Sequence, residues 1–216
     1  MKVPEHWTFD NKEVAQDFDA HVREQLPWYD LATGAVVHIA RHYITEGGLV
    51  YDIGASTGNI GRALDDTLAV RGARFVPVER SRAMAAKYHG PGVVVNEPVE
   101  TLDFKRCDVV ICFLVLMFLP PRTRAKAVHN MIEGLHKGGV LIVVDKLEPV
   151  GGYASTVLHR LTLAEKLKAG VNPEDILRKE LSLSGVQRPM LAKEILHDAV
   201  EFFRFGDFVG WFFEKR

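Results

Sequence analysis

Apolar residues recur at helical spacing in the first quarter of the chain. Val14, Phe18 and Val22 follow one another at intervals of four, and residues 31–44 form a second, more apolar helical stretch. Pro27 lies between the two stretches, and proline interrupts a helix because it lacks an amide hydrogen. The pattern therefore predicts two N-terminal helices within residues 11–45.

From residue 49 onward, short apolar runs alternate with helical segments. The runs that predict buried strands are 49–54, 73–79, 93–96, 107–114 and 138–146. The helical segments between them are 58–70, 81–88 and 122–136, the last preceded by Pro120 and Pro121. Strands that alternate with helices in this way predict a parallel sheet.

The last third of the chain departs from the alternation. Residues 151–198 predict three consecutive helical segments, which we call the helical appendage. Two aromatic-rich runs, 200–206 and 208–215, then predict an antiparallel hairpin with a tight turn around Gly206 and Asp207. The sheet should therefore be mostly parallel, with seven strands and an antiparallel end.

Length, charge and cysteine content narrow the class of protein. The chain has 216 residues, 27 Lys plus Arg against 28 Asp plus Glu, and two cysteines. We expect a single domain over 1–216, without a disulfide framework or metal site. The balanced charge argues against direct nucleic-acid binding, and the longest apolar run, 109–119, is too short to span a membrane. A cytoplasmic protein is the expectation.

The loop "DIGASTGNIG" (52–61) follows the first strand and precedes a helix. No GK[ST] closes it, so it is not a P-loop, and Ser56 replaces the middle glycine of a dinucleotide loop. It also fits GxSxG, the nucleophile elbow of hydrolases, with Asp145 and His197 following in the expected order, although no oxyanion segment accompanies it. A plain tight turn is the simplest alternative.

S-adenosylmethionine suits this loop better, because it is a cation without phosphate. Asp52 at the strand end would attract it, and Gly54 and Gly58 would let the turn run close beneath it. Glu79, at the end of the second strand, could accept hydrogen bonds from both ribose hydroxyls. Together with the terminal hairpin, this predicts a class I methyltransferase fold, a Rossmann-like three-layer α/β sandwich.

Several longer stretches resemble one family of that class. "FDNKEVAQDFDAHVREQLPWYD" (9–30), "VYDIGAS" (50–56), "LVLMFLPP" (114–121), "GLHKGGVLIVVDK" (134–146) and "QRPML" (187–191) are similar to the carboxy-S-adenosylmethionine synthases of the tRNA wobble-uridine oxyacetic acid pathway. The resemblance implies an enzyme that transfers a carboxylate from prephenate to the sulfonium methyl of S-adenosylmethionine. It also implies a homodimer, which the apolar appendage could form.

The resemblance implies a set of cofactor contacts in this sequence. They are Tyr29, Gly54, Ala55, Ser56, Glu79, Arg80, Glu97, Pro98, Cys112 and Arg188. Arg188 would pair with the additional carboxylate, and Tyr29 would cover the sulfonium. The family usually has Asp-Asn at 79–80, Asp-Ile at 97–98 and Asn at 112. Cys112 is therefore better explained as a small apolar residue of a buried strand.

The residues leave the chemistry open between three classes. The first two are carboxyl transfer and ordinary methyl transfer to a small-molecule or RNA acceptor. Both depend on correct placement of the cofactor more than on a nucleophilic side chain of the protein. An inactive ligand-binding homologue would follow if the changed residues had lost the site. The implied cofactor is S-adenosylmethionine or carboxy-S-adenosylmethionine, and the partner is a small molecule.

Overall fold

The computed structural model describes residues 3–149 and 151–216. Its helices are α1 (Lys12–Gln25), α2 (Tyr29–Tyr43), α3 (Asn59–Arg71), α4 (Arg82–Ala85), α5 (Pro121–Gly134), α6 (Tyr153–Lys168) and α7 (Pro173–Ser182). Its strands are β1 (Leu49–Ile53), β2 (Arg74–Val78), β3 (Cys107–Phe113), β4 (Leu135–Lys146), β5 (Val200–Phe205) and β6 (Phe208–Glu214). Short 3₁₀ turns lie at Leu116–Phe118 and Ala192–Glu194.

One sheet with the strand order β2-β1-β3-β4-β6-β5 carries the fold. β2, β1, β3 and β4 run parallel, and β6 joins β4 antiparallel to complete the predicted hairpin with β5. From β1 the chain crosses to β2 on one side, whereas β3 lies on the other side of β1. The carboxyl ends of β1 and β3 therefore form the crevice in which ligands bind in such sheets.

Helices cover both faces of this sheet, as the sequence predicts. Val36 of α2 and Leu64 of α3 belong to the apolar cluster on one face, and Ala127 and Met131 of α5 belong to the cluster on the other. Every residue of β3 is buried, since this strand is central and covered on both sides. The three-layer α/β class is confirmed.

The helix ends follow from local sequence. Asn11 caps α1, its side-chain oxygen accepting hydrogen bonds from the amides of Glu13 (2.8 Å) and Val14 (3.2 Å). Pro27 lies in the break between α1 and α2, and Pro121 begins α5. Asn172 caps α7 and accepts from the amide of Glu174 at 2.8 Å.

The sheet has six strands among the described residues, so the prediction of seven is wrong by one. The run 93–96 makes a single bridge, Val95 to Val78, in which the Val95 amide donates to the Pro77 carbonyl at 2.8 Å. Extending this parallel pairing would need the amide of residue 77 to donate to the Val93 carbonyl. Proline has no such amide, so pairing stops after one residue.

Two helix predictions also change. Segment 81–88 contains only the single helical turn α4. In the appendage, α6 and α7 form as predicted, but the third helical segment is replaced by an irregular stretch with one 3₁₀ turn. Gly185 there has φ +73°, and Pro189 follows, so neither position suits a continuous helix.

Candidate functional site

A cavity of about 210 Å³ opens at the carboxyl ends of the parallel strands. Asp52 and Gly54 line it from the end of β1, Glu79 from the end of β2, Phe113 from β3 and Lys146 from β4. Side chains from the N-terminal segment, from α1 and from the appendage form the remaining wall. The sheet thus places the cavity at the crossover point where class I cofactors bind.

The glycine loop after β1 makes a tight turn against β2. Gly54, Ser56 and Gly58 all have positive φ values, +70°, +51° and +97°. The amides of Gly54 and Ala55 both donate to the Val78 carbonyl, at 2.8 and 3.0 Å. A Cβ on Gly54 would collide with the Val115 side chain, so this position needs glycine for space as well as conformation.

Glu79 ties this loop to the end of β2. One carboxylate oxygen accepts from the Ser56 amide at 2.9 Å, and the other accepts from the Ser81 amide at 2.7 Å. Burial raises the pKa of Glu79, while these two amides act in the opposite direction. Each oxygen retains a second acceptor direction, so Glu79 can still receive a hydrogen bond from a ligand.

Asp52 is buried in the cavity wall with one oxygen unsatisfied. Only 2% of the residue is exposed, and no donor among the described residues reaches Oδ2. Burial, and secondly the nearby charge of Glu79, raise the pKa of Asp52 well above its usual range. A buried carboxyl of this kind is stabilised as the anion by a ligand that brings positive charge or a donor.

Tyr29 begins α2 and lies in the cavity wall. Its ring packs edge-on against Phe113, with centroids 5.3 Å apart, and the Arg23 guanidinium lies 5.2 Å from the ring centroid. Burial raises the pKa of Tyr29, so the phenol stays protonated. Tyr29 and Phe113 therefore present an apolar, aromatic wall beside the two carboxyls.

The match to known proteins supports the same class of site. The model of a family described as "Methyltransferase domain" matches residues 51–143, from β1 into β4, and includes the glycine loop and Glu79. Over this stretch the chain is similar to methyltransferases that use S-adenosylmethionine. The prediction of an S-adenosylmethionine-dependent transferase, with S-adenosylmethionine as its cofactor class, is confirmed.

Relatives along the whole chain carry a more specific name. A carboxy-S-adenosyl-L-methionine synthase of Staphylococcus epidermidis is 28% identical over 220 aligned residues, covering 96% of each chain. One of Pectobacterium atrosepticum is 26% identical over 90% of this chain and 79% of its own. The resemblance seen in the sequence is confirmed by these matches.

Solved methyltransferase structures share the fold. Magnesium protoporphyrin IX methyltransferase of Synechocystis PCC 6803 aligns with a TM-score of 0.59, 16% identity and coverage of 90% of this chain and 86% of its own. The plantazolicin methyltransferase BpumL aligns with a TM-score of 0.60, 10% identity and coverage of 96% and 91%. Their likeness confirms the architecture of this superfamily.

The structure brings together part of the predicted contact set. Of the residues predicted to contact the cofactor, those that line the cavity are Tyr29, Asp52, Gly54, Ala55, Ser56, Glu79 and Arg80. Gly58 instead lies beneath the segment around His89, where a Cβ would collide with the His89 carbonyl. Its glycine is thus required for packing of the loop.

Arg188 lies outside the cavity lining. Its side chain is 70% exposed, and its Nε is 3.4 Å from an oxygen of Glu148. Cys112 is fully buried within β3, as expected of a small apolar residue. Glu97 and Pro98 lie beyond Asn96, whose side chain donates to the Glu79 carbonyl at 2.7 Å, close to the site but not in its lining.

The positions of Asp145 and His197 contradict the hydrolase alternative. Asp145 accepts hydrogen bonds from the amides of Leu116 (2.6 Å) and Lys146 (2.8 Å), so it caps the turn after β3. His197 is fully exposed and contacts Asp198. Ser56, Asp145 and His197 therefore do not form the predicted triad, and the loop is not a nucleophile elbow.

One whole wall of the cavity is not predicted by the sequence. Trp7, His21, Gln25, Lys166 and Lys179 line it, and all are buried. His21 and Gln25 are one helical turn apart on the apolar side of α1, and this spacing was the available signal. Within the described part of the chain, no cluster of three or more His, Cys, Asp or Glu is arranged to bind a metal, and no helix has the length and apolarity of a membrane span.

Proposed function

We propose that S-adenosylmethionine, or its carboxylated form, binds between the glycine loop, Asp52, Glu79 and Tyr29. The observation that carries this proposal is the pair of buried carboxyls that line the cavity at the ends of β1 and β2, one of which has an oxygen without a hydrogen-bond partner among the described residues. A ligand with a cationic centre and two ribose hydroxyls complements both groups.

When bound, the cofactor would supply a sulfonium methyl carbon, which is electrophilic in methyl transfer and becomes nucleophilic in carboxyl transfer once it has lost a proton. The chain's own residues bind and orient it: Asp52 attracts positive charge, Glu79 accepts hydrogen bonds, and Gly54 allows close approach of backbone. Tyr29 and Phe113 exclude water from one side. Transfer then depends on placement in a closed site, and no covalent protein nucleophile is required.

The reaction that we propose is the carboxyl transfer of the relatives, from prephenate to the sulfonium methyl. Similarity over 96% of the chain to a carboxy-S-adenosyl-L-methionine synthase supports this assignment. The product would then serve modification of the tRNA wobble uridine in the cytoplasm. This chain would act on the small molecule and not on the RNA itself.

Ordinary methyl transfer is the second candidate, and the placement of Arg188 favours it. In carboxyl chemistry this guanidinium would pair with the extra carboxylate, yet here it faces solvent beside Glu148. Its carbonyl and that of Pro189 accept hydrogen bonds from the buried Arg124, so the segment is held in place. Carboxyl chemistry thus requires the Arg188 side chain to turn inward.

Mass spectrometry of the ligand released from purified, denatured protein tests the proposal. A nucleoside heavier than S-adenosylmethionine by one carbon dioxide, lost in Arg188→Ala but kept in Arg178→Ala, supports carboxyl transfer. Arg178 is the matched control because it is also an exposed arginine paired with a glutamate. Plain S-adenosylmethionine or its demethylated product favours methyl transfer, and failure to bind either added nucleoside indicates an inactive homologue.

We also propose that the appendage forms a homodimer contact. Exposed apolar side chains on α6 and α7 support it: Tyr153, Val157, Leu161, Leu167, Leu177 and Leu181. Burying such a surface in a two-fold contact would remove it from water. Light scattering should give twice the chain mass, and Leu177→Glu should halve it; a monomeric mass for the unaltered chain contradicts the proposal.

A further inference from the structure

The cavity has a second polar region, remote from Asp52 and Glu79 in the chain. It is formed by Trp7, by His21 and Gln25 of α1, and by Lys166, Lys179 and Glu180 of the appendage. These residues come from three separate segments that close over the carboxyl end of the sheet. The amide of Trp7 donates to the Ser182 carbonyl at 3.0 Å, which joins the N-terminal segment to the end of α7.

Positive charge exceeds negative charge in this region. Lys166 Nζ lies 3.1 Å from Glu180 Oε1, so one carboxylate serves this lysine. Lys179 places its ammonium group over the Trp7 ring. Lys146, at the end of β4, reaches the amide oxygen of Gln187 at 3.3 Å and contributes to the field on Glu180. Three lysines therefore share one carboxylate.

Several polar atoms here have no partner among the described residues. They are Trp7 Nε1, His21 Nε2 and Gln25 Oε1, each belonging to a residue less than 8% exposed. Buried polar atoms are normally hydrogen-bonded, and each unmet one costs free energy. Trp7 Nε1, and His21 Nε2 when it carries the ring proton, can donate to an anionic ligand, whereas Gln25 Oε1 is an acceptor and needs a donor.

We propose that Lys166 and Lys179 form an anion-binding subsite, with Trp7 and His21 as additional donors, that selects the second substrate of the enzyme. This rests on the proposed function, in which the cofactor occupies the region of Asp52 and Glu79. The cavity is then bipolar: its sheet end attracts a cation, and its appendage end attracts the anionic group of the other reactant. Phe118, Leu183 and Phe208 line the same cavity and can accommodate an apolar body.

The lowered pKa of Lys179 agrees with an anion-binding subsite at this position. Burial, and secondly the charge of Lys166, lower the pKa of Lys179 to about 6, whereas Glu180 acts in the opposite direction. Burial and the charge of Lys179 lower the pKa of His21 to about 3, so its ring is neutral and can donate. An anion that binds here raises the pKa of Lys179, so that Lys179 takes up a proton on binding. The anion should therefore bind more weakly as pH rises above 6.

Benzoate, with neutral benzamide as its isostere, is the probe for this subsite. We expect calorimetry at constant ionic strength to detect benzoate but not benzamide. Lys179→Met and Lys166→Met should each weaken benzoate binding by about tenfold or more, because each removes one charge-assisted contact. Lys168→Met is the matched control, since Lys168 is on α6 like Lys166 but its side chain is 78% exposed. Glu180→Gln should tighten binding, because it frees Lys166.

The fluorescence of Trp7 gives an independent readout. Benzoate should draw the ammonium group from the indole ring and change the emission, and Trp7→Phe should abolish this change while Trp28 and Trp211 remain. Equal benzoate affinity in the Lys168, Lys166 and Lys179 variants, or equal affinity for benzamide, overturns the proposal. If Lys179→Met does not fold, Lys166→Met and Glu180→Gln decide it. S-adenosylhomocysteine binding, titrated into the same samples, tests the cofactor site separately and should be unchanged in these variants.

Discussion

Lys179→Met should stabilise the ligand-free protein at neutral pH. Lys179 is 9% exposed, and its ammonium group lies over the Trp7 ring. Methionine has a similar length and no charge, so it keeps the apolar contact and removes the titration. Where a site binds a charged ligand, a residue that contacts the ligand is expected to lower the stability of the ligand-free protein.

The magnitude follows from the two pKa values of Lys179. The pKa is about 6 in the folded chain, against 10.5 for an unperturbed lysine. At pH 7 the unfolded chain binds the proton and the folded chain mostly does not, over 3.5 pH units that cost about 1.36 kcal/mol each. Because the folded lysine is mostly neutral at this pH, no cation–π attraction to Trp7 offsets this cost. The net destabilisation by Lys179 at pH 7 is on the order of 5 kcal/mol.

The sign of the pH dependence is specific. Because the folded pKa is depressed, the folded chain binds fewer protons, so this lysine's cost declines as pH rises from 6 to 10. Urea unfolding should therefore show Lys179→Met about 5 kcal/mol more stable at pH 7 and nearly equal to the unaltered chain at pH 10. Lys168→Met, the exposed control, should change stability by less than about 0.5 kcal/mol. A variant that is less stable at pH 7, or a difference independent of pH, would refute the reasoning.

Two further predictions concern other buried charges. Asp52→Asn should weaken S-adenosylmethionine binding about tenfold or more at pH 7, because it removes a charge-assisted contact. Calorimetry should also show that the affinity of the unaltered chain rises as the pH passes the raised pKa of Asp52, and that the variant loses most of this rise. An unchanged affinity in the variant would contradict the role of Asp52. Arg124→Met should lower the free energy of unfolding by about 3 kcal/mol, since Arg124 donates to the carbonyls of Leu119, Arg188 and Pro189 and the change leaves these acceptors without their donor. A free energy of unfolding in urea equal to that of the unaltered chain would contradict this.

The sequence predicts the sheet end of the site well, because its signals are local. Gly54 and Asp52 follow an apolar strand, and Glu79 ends the next one, so parallel pairing alone brings them together. The hairpin at Gly206 and Asp207 is likewise determined by adjacent residues. The missing seventh strand depends on something less visible, the absent amide of Pro77 on the neighbouring strand.

The appendage end could not be predicted in the same way. Lys166 and Lys179 belong to helices with many charges, and lysines in such helices are usually solvated. Their burial depends on contacts with α1 and Trp7, which are more than 140 residues away in the chain. Arg188 illustrates the converse: its place in a short motif suggests a ligand contact, but Arg124 fixes its backbone while the side chain remains in solvent.

The two ends of the cavity have one physical property in common. Asp52 at one end and Lys179 at the other are both buried, and burial drives both toward the neutral form in the free protein. A cationic cofactor restores the charge of Asp52, and an anionic second ligand restores the charge of Lys179. Each ligand therefore binds with a proton change of opposite sign, release at the sheet end and uptake at the appendage end. When both ligands bind, the release and the uptake of a proton nearly cancel. The affinity with which the ternary complex forms should therefore depend on pH much less than the affinity of either binary complex.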